Sequence, residues 1–265
     1  MAVLPIRTLP PDFAPQPHSL KDRVVLITGA TGGLGRTSSL AAAQAGARVI
    51  LLARKVPLLE KLYDEILALG QAEPAIYPLS LEGATPRDYE TLADTLKAEY
   101  GRLDGIVHAA AHLAGLMPAA EIKPEEWMRT LHVNLSAPYL LTQACQPLLA
   151  RADDASVVFV LDDPARSSRA FWGGYGVAKA GLESLVSILH QEWENGPIRV
   201  HALLPAPMRT ALRRMAYFGE NTMRIATPQI AAESVVYLLS PVALQLRGQI
   251  LDLRKSDAAL KQQDA

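Results

Sequence analysis

Short apolar runs alternate with longer helix-like segments along most of this chain. The first run, Val24–Thr28, has the length of one buried strand, and a segment of small residues over 36–46 follows it. Alternation of this kind predicts a parallel sheet with helices on both faces. The further predicted strands cover 48–52, 75–79, 105–108, 156–161, 198–204 and 249–253, and the further predicted helices cover 57–69, 86–100, 124–150, 173–194 and 228–240.

A glycine-rich turn joins the first strand to the first helix. Its glycines, Gly29, Gly33 and Gly35, are spaced Gly-x-x-x-Gly-x-Gly. Glycine permits positive φ and lets the backbone come close to a ligand. The N–H groups at the start of the helix then favour the negative charge of a pyrophosphate. Because a strand precedes the turn and a helix follows it, the segment predicts a dinucleotide-binding site.

A second motif, Tyr-x-x-x-Lys, lies far downstream at Tyr175 and Lys179. In a helix this spacing places the two side chains one turn apart on the same face. An ammonium beside a phenol favours the phenolate, and it is expected to lower the tyrosine pKa from its usual value of about 10. Such a tyrosine is suited to exchanging a proton with a carbonyl oxygen near neutral pH.

Together the turn and this motif make the chain resemble the short-chain dehydrogenase/reductase family in its single-domain form. The resemblance runs over about 21–253, nearly the full length. It implies a Rossmann-type doubly wound α/β fold of about seven parallel strands, in the order 3-2-1-4-5-6-7, with the cofactor at the carboxyl ends of the strands. It also implies an oxidoreductase that moves a hydride between a nicotinamide cofactor and a carbonyl or alcohol substrate.

The resemblance also implies roles for individual residues. Tyr175 would be the catalytic acid and base, Lys179 would tune it and orient the ribose, and Asn134 would hold a proton-relay water. Ser80 stands where the family usually has an Asp that meets the adenine amino group, and Ala109 and Ala110 stand in its Asn-Asn-Ala-Gly segment. The other cofactor-binding positions that it implies are Gly29, Thr31, Gly33, Leu34, Gly35, Leu81, Pro205 and Thr210.

The family's catalytic serine position is the main departure. Thirteen positions before Tyr175, this chain has Asp162. An ionised carboxylate only accepts hydrogen bonds, and its charge opposes a phenolate beside it. A protonated Asp162 would still be able to donate, and Ser167 or Ser168 would replace the missing hydroxyl if the loop followed a different path. The sequence leaves these alternatives open.

The end of the second predicted strand bears on cofactor choice. In NAD-preferring Rossmann sites an acidic residue there binds the ribose hydroxyls, whereas this chain has Arg54 and Lys55. A guanidinium binds a 2′-phosphate with two parallel hydrogen bonds. The sequence therefore predicts NADP(H) in preference to NAD(H), the alternative being two solvated cations at a helix start.

Composition narrows the remaining classes of function. The chain has 265 residues, 49% of them hydrophobic, and a formal net charge of -1, so charge gives no reason to expect nucleic acid or an anionic membrane as partner. No apolar run approaches the roughly 20 residues of a spanning helix. The six histidines lack ligand partners at metal-binding spacing, so no metal is expected. A cytoplasmic location is expected.

The organisation predicted from these patterns is one domain with two appendages. A proline-rich N-terminal segment over 1–20 is expected to form an extended arm, 21–253 the dinucleotide-binding and catalytic domain, and 254–265 a polar tail. The long apolar helices over 124–150 and 173–194 predict a homodimer or homotetramer, as the resemblance also implies. Two functions remain open: the oxidoreductase, and a catalytically impaired dinucleotide-binding or scaffold protein that keeps the fold.

Overall fold

Eight parallel strands form one sheet in the structure, a computed structural model that describes residues 4–10, 13 and 16–254. The predicted tail, except Arg254, and residues 1–3, 11, 12, 14 and 15 of the predicted arm lie outside the described residues. The strands are β1 (Ile6–Arg7), β2 (Val24–Thr28), β3 (Arg48–Ala53), β4 (Ala75–Pro78), β5 (Gly105–His108), β6 (Ala155–Val160), β7 (Ile198–Leu204) and β8 (Ile250–Asp252).

Helices connect these strands and cover both faces of the sheet. They are α1 (Gly33–Gln44), α2 (Val56–Leu67), α3 (Pro86–Tyr100), α4 (Pro124–Leu131), α5 (Ala137–Leu149), α6 (Pro164–Ser167), α7 (Gly173–Trp193), α8 (Ala211–Ala216) and α9 (Gln229–Leu239). None of the helices within the described ranges is long and apolar enough to cross a bilayer.

The strand order confirms the predicted topology. The sheet runs β1-β8-β7-β6-β5-β2-β3-β4, and the seven strands from β2 to β8 follow the predicted order 3-2-1-4-5-6-7. From β2 the sheet grows first to one side, through β3 and β4, and then to the other side, beginning with β5. At this point Val25 pairs with Gly105 and Thr28 with His108. The carboxyl ends of these two strands form the switch point at which such sheets bind their ligands.

The two faces of the sheet have separate apolar cores because successive side chains of a strand point to opposite sides. On β2, Leu26 belongs to the core that packs beneath α3, α5 and α7. Val25 and Ile27 belong to the core beneath α1, α2 and α9. All three side chains are fully buried, and each such burial contributes about 1.5–3 kcal/mol. This double burial holds the end of β2 rigidly at the switch point.

The eighth strand comes from the N-terminal segment and was not predicted. Ile6 pairs with Ile250 and Arg7 with Leu251, so β1 extends the sheet beyond β8. The Arg7 guanidinium also donates to the Gln249 side chain at 3.0 Å. The described part of this segment therefore lies against its own chain.

A turn of π-helix interrupts the long helix predicted over 124–150. It spans His132–Ser136 and joins α4 to α5. Turns of this kind occur mostly as single insertions in α-helices, frequently at functional sites. Asn134, a predicted site residue, lies inside it and is buried.

Candidate active site

A cavity of about 520 Å³ opens at the carboxyl edge of the sheet, above the switch point. It is bounded by the turns that follow the strands and by α8. Among the predicted site residues, three lie off its wall, namely Gly35, Ser80 and Asn134. Those that line it are Gly29, Thr31, Gly33, Leu34, Arg54, Leu81, Ala109, Ala110, Asp162, Tyr175, Lys179, Pro205 and Thr210.

The glycine-rich turn forms one end of the cavity. Gly29 has φ +64°, and a Cβ there would lie 2.7 Å from the Cα of Ala110. A Cβ on Gly33 would lie 2.9 Å from Cγ2 of Thr210, and one on Gly35 would overlap the carbonyl oxygen of Gly29. Because they have no side chains, Gly29 and Gly33 let Ala110 and Thr210 come close to the turn. Gly35 lets α1 pack against the turn.

The start of α1 fits a bound pyrophosphate. No side chain caps its first turn, and the backbone of Gly32, Gly33 and Leu34 lines the cavity. The first N–H groups of a helix have no partner within the helix. Their positive end therefore offers an anion site made of backbone alone, and the residues present fit a dinucleotide.

Arg54 and Lys55 follow β3 and line the same end of the cavity. The Arg54 guanidinium forms an ion pair with Glu82, and its side chain is 56% exposed. Glu82 therefore orients a cation that still has free N–H groups facing solvent. Ser80 is exposed beside this pair and does not line the cavity, whereas Leu79 and Leu81 do.

Asp162 forms the opposite end of the cavity, where it contacts the predicted catalytic tyrosine directly. The Tyr175 hydroxyl donates to Asp162 Oδ2 at 2.7 Å. Asp162 Oδ1 accepts from the Asp163 backbone N–H at 2.7 Å and from the Arg166 guanidinium. With its side chain only 8% exposed, Asp162 is a carboxylate satisfied by three donors.

This contact reverses the expected effect on the tyrosine. Burial, and after it the charge and hydrogen bond of Asp162, raise the pKa of Tyr175 well above its usual value. The prediction that Lys179 lowers the tyrosine pKa is therefore wrong for this arrangement. Burial lowers the pKa of Lys179 to about 8, although the charge of Asp162 acts the other way. The Lys179 ammonium donates to the backbone oxygen of Val160 at 2.7 Å.

Neither nearby serine supplies the missing hydroxyl. Ser167 is buried, and its Oγ donates to the backbone oxygen of Asp163 at 3.0 Å. Ser168 is exposed, and neither serine lines the cavity. The loop after β6 therefore presents Asp162, and no serine, to the tyrosine.

Asn134 is buried and does not line the cavity, but its hydrogen bonds hold a segment that does. Its side-chain nitrogen donates to the backbone oxygens of His112 and Thr130, both at 2.8 Å, and its oxygen accepts from the His112 N–H at 3.1 Å. The His112 ring, which lines the cavity, contacts Glu126 at 2.5 Å. The Asn134 side chain thus fixes the loop that follows β5, and a relay water would have to be held by its backbone.

Arg166 is the site residue that sequence reasoning missed. It lines the cavity, pairs with Asp162, and lies over the rings of Trp172 and Tyr217 at 5.4 Å and 5.9 Å from their centroids. The spacing of four between Asp162 and Arg166 was the available signal, since it brings side chains together on a helical turn. Its aromatic partners were not recognisable from local spacing.

Two buried histidines, His108 and His201, are structural. His108 Nε2 lies 2.7 Å from Thr142 Oγ1, and His201 Nδ1 lies 2.9 Å from the Leu246 carbonyl. Burial lowers the pKa of each to about 3, so both are neutral near pH 7. Across residues 4–10, 13 and 16–254, no cluster of His, Cys, Asp and Glu is able to hold a metal.

Comparison with known proteins agrees with the fold. The family model for short chain dehydrogenases matches residues 23–219. An uncharacterized oxidoreductase of Escherichia coli K12, YciK, is 32% identical over 240 residues, which cover 91% of this chain and 95% of the relative. A short chain dehydrogenase structure from Pseudomonas syringae has a TM-score of 0.88 and 38% identity, covering 91% of this chain and 98% of that one.

A further structure, of a short chain dehydrogenase from Escherichia coli CFT073, is described as complexed with NADPH. It has a TM-score of 0.86 and 33% identity, covering 90% of this chain and 99% of that one. The chain belongs to the short-chain dehydrogenase family, a family of oxidoreductases that bind a nicotinamide cofactor.

Proposed function

We propose that this protein is an NADP(H)-preferring oxidoreductase that transfers a hydride between the cofactor and a small carbonyl or alcohol substrate. The observation that carries the proposal is the single cavity shared by the uncapped start of α1 and by Tyr175 and Lys179. The bound nicotinamide would supply or take up the hydride. The relative described as complexed with NADPH supports this choice of cofactor.

Individual residues have distinct parts in this proposal. The backbone of the turn from Gly29 to Gly33 would hold the pyrophosphate, and Arg54 the 2′-phosphate. Lys179 would contact the nicotinamide ribose from the floor of the cavity, where its ammonium is already fixed on Val160. Tyr175 would exchange a proton with the substrate oxygen, but only after its hydroxyl leaves Asp162.

The second candidate function is a dinucleotide-binding protein with impaired turnover. The contact between Tyr175 and Asp162 favours it, because the phenol is engaged and its pKa is raised. Both candidates require NADPH binding. They differ in whether the bound cofactor is consumed.

The experiment that separates them measures NADPH binding and NADPH oxidation on the same preparation. NADPH binding is followed by its fluorescence, and oxidation at 340 nm is followed with a panel of ketones and aldehydes. The oxidoreductase proposal expects binding together with substrate-dependent oxidation. NADPH binding without oxidation by wild type or by Asp162→Ser would leave the binding protein as the function.

A homodimer or homotetramer is part of the same proposal. Exposed apolar side chains on α4 and α7, among them Met128, Val177 and Ile188, support an interface on this face. Sedimentation equilibrium at micromolar concentration tests it, and a monomer there would exclude it. The cytoplasmic location stays a prediction from the sequence.

A further inference from the structure

The reacting end of the cavity presents acceptors where a carbonyl substrate needs donors. A carboxylate has about four lone-pair positions. On Asp162, the Asp163 N–H and the Arg166 guanidinium take those of Oδ1, and the Tyr175 hydroxyl takes one on Oδ2. One acceptor position remains on Oδ2 of a residue that lines the cavity.

Tyr175 adds a second acceptor. Its single hydroxyl proton is donated to Asp162, so the lone pairs of its oxygen are what it can offer to a ligand. A carbonyl oxygen placed between these two oxygen atoms would face two acceptors, and the donors beside it would be those of the Arg166 guanidinium, whose Nε has no partner among the described residues. Ser167, the nearest buried hydroxyl, donates to the backbone of Asp163 instead.

Arg166 holds the Asp162 side chain in place. Its guanidinium is held by the ion pair with Asp162 and by the rings of Trp172 and Tyr217. Three donors therefore hold the carboxylate in place, and one acceptor position on Oδ2 stays open beside the Arg166 cation.

We propose that the reacting group of the substrate is a protonated C=N bond, an iminium, which the protein reduces to an amine. The inference rests on the hydride transfer proposed above and replaces its carbonyl substrate with the nitrogen analogue of a carbonyl. An iminium N–H donates to the free acceptor on Asp162, and its positive charge lies beside a carboxylate, which strengthens the hydrogen bond.

The reaction balances without a proton from Tyr175. The iminium carbon gains the hydride that a bound nicotinamide supplies, the C=N electron pair moves onto nitrogen, and the cofactor is left oxidised. The N–H bond stays intact, and the product is a neutral secondary amine. Asp162 and the Tyr175 oxygen hold that nitrogen, so the raised tyrosine pKa is no obstacle.

An alcohol also carries a donor, but its oxidation fits the corner less well. The O–H proton would have to pass to Asp162, a carboxylate stabilised as an anion by Arg166 and the Asp163 N–H. Reduction of a carbonyl meets the opposite difficulty, since the oxygen gains negative charge beside that carboxylate. Reduction of the iminium needs no proton transfer and leaves a neutral amine, where carbonyl reduction leaves an alkoxide, beside the carboxylate.

Binding of a product amine tests the inference without turnover. Calorimetric titration of the NADP⁺-loaded protein with 2-methylpyrrolidine should show about tenfold or more tighter binding by wild type than by Asp162→Ser, the effect of one charge-assisted hydrogen bond. Cyclopentanol, of similar size, should not show that loss. Asp163→Ser is the matched control, because serine can still cap α6 at that position, and it should bind the amine as wild type does.

Kinetics with probes of one size complete the test. Wild type with NADPH should reduce 2-methyl-1-pyrroline at least about tenfold faster than cyclopentanone, and faster than 1,2-dimethyl-1-pyrrolinium, which lacks the N–H. Asp162→Ser should reverse the preference between the first two. Asp162→Asn, which keeps the side-chain shape, should also lose the imine preference and serves if the serine variant does not fold.

The outcomes separate this inference from the proposed function. Equal amine binding by wild type and Asp162→Ser, or reduction of cyclopentanone with no reduction of the imine, would overturn the inference and leave the oxidoreductase in place. Bound NADPH with no oxidation by any probe in either protein would overturn both.

Discussion

The two ends of the cavity offer a ligand different groups, backbone at one end and side chains at the other. At the pyrophosphate end, the contacts offered to a ligand are backbone N–H groups of α1 and the turn at Gly29 and Gly33. At the reacting end, they are side chains linked to one another, with Asp162 between Tyr175 and Arg166.

The two ends therefore differ in which amino-acid substitutions they tolerate. The backbone end depends on φ angles and close packing, which few residue types satisfy. The reacting end depends on donors and acceptors, so one substitution reverses what it can bind while the fold stays intact. Asp162, which stands thirteen positions before Tyr175, lies at the second end.

The largest effect is expected at Gly29. A valine there would be held at positive φ with its Cβ 2.7 Å from the Ala110 Cα, a strain of roughly 3 kcal/mol or more. Gly29→Val should therefore weaken NADPH binding about a hundredfold or more, measured by fluorescence titration. Gly83→Ala, whose Cβ would meet nothing within 4 Å, is the control. Wild-type affinity in Gly29→Val would show that the turn does not form the site.

Burial of Lys179 at the reacting end is expected to make the free energy of unfolding depend on pH. Lys179 has a pKa of about 8 in the folded protein against 10.5 ordinarily. Between these values the unfolded chain holds a proton that the folded chain has released, so stability rises with pH. From pH 8 to 10.5, wild type should gain about 3 kcal/mol in free energy of unfolding relative to Lys179→Met, measured by urea denaturation. If the free energy of unfolding changed equally with pH in both proteins, the pKa of Lys179 would not be lowered in the folded protein.

Cofactor choice tests the pyrophosphate end more finely. Arg54→Asp should weaken NADPH binding by roughly 1.5–3 kcal/mol, the worth of a charge-assisted contact, and should change NADH binding much less. Lys61→Asp makes the same change of charge on an exposed position of α2 that does not line the cavity. Equal losses for both cofactors would mean that Arg54 does not meet the 2′-phosphate.

Much of the fold was predictable because its signals are local. Val24–Thr28, the glycine spacing and the Tyr-x-x-x-Lys spacing each carry their meaning within a few residues. The family resemblance that they support implied the strand order that β2 to β8 adopt. Strand β1 was not predictable, because two exposed residues, Ile6 and Arg7, pair with a strand near the other end of the chain.

The site was predictable only in part. The sequence identified Asp162 as a departure and predicted that its charge opposes a phenolate at Tyr175, and the raised pKa of Tyr175 agrees in direction. It did not identify the contact of Arg166 with the rings of Trp172 and Tyr217, since these rings come from distant segments of the chain. Side-chain networks between distant segments have no periodicity to detect.

We propose that Asp162 stands at the family's serine position and therefore offers the oxygen of a ketone no hydroxyl donor. The most direct measurement is the rate of NADPH oxidation with ketones, against pH, for wild type and Asp162→Ser. We expect the ketone rate to be about tenfold or more higher in Asp162→Ser, since each 1.36 kcal/mol of barrier is a factor of ten. A rate in Asp162→Ser equal to or below that of wild type across the pH range would contradict it.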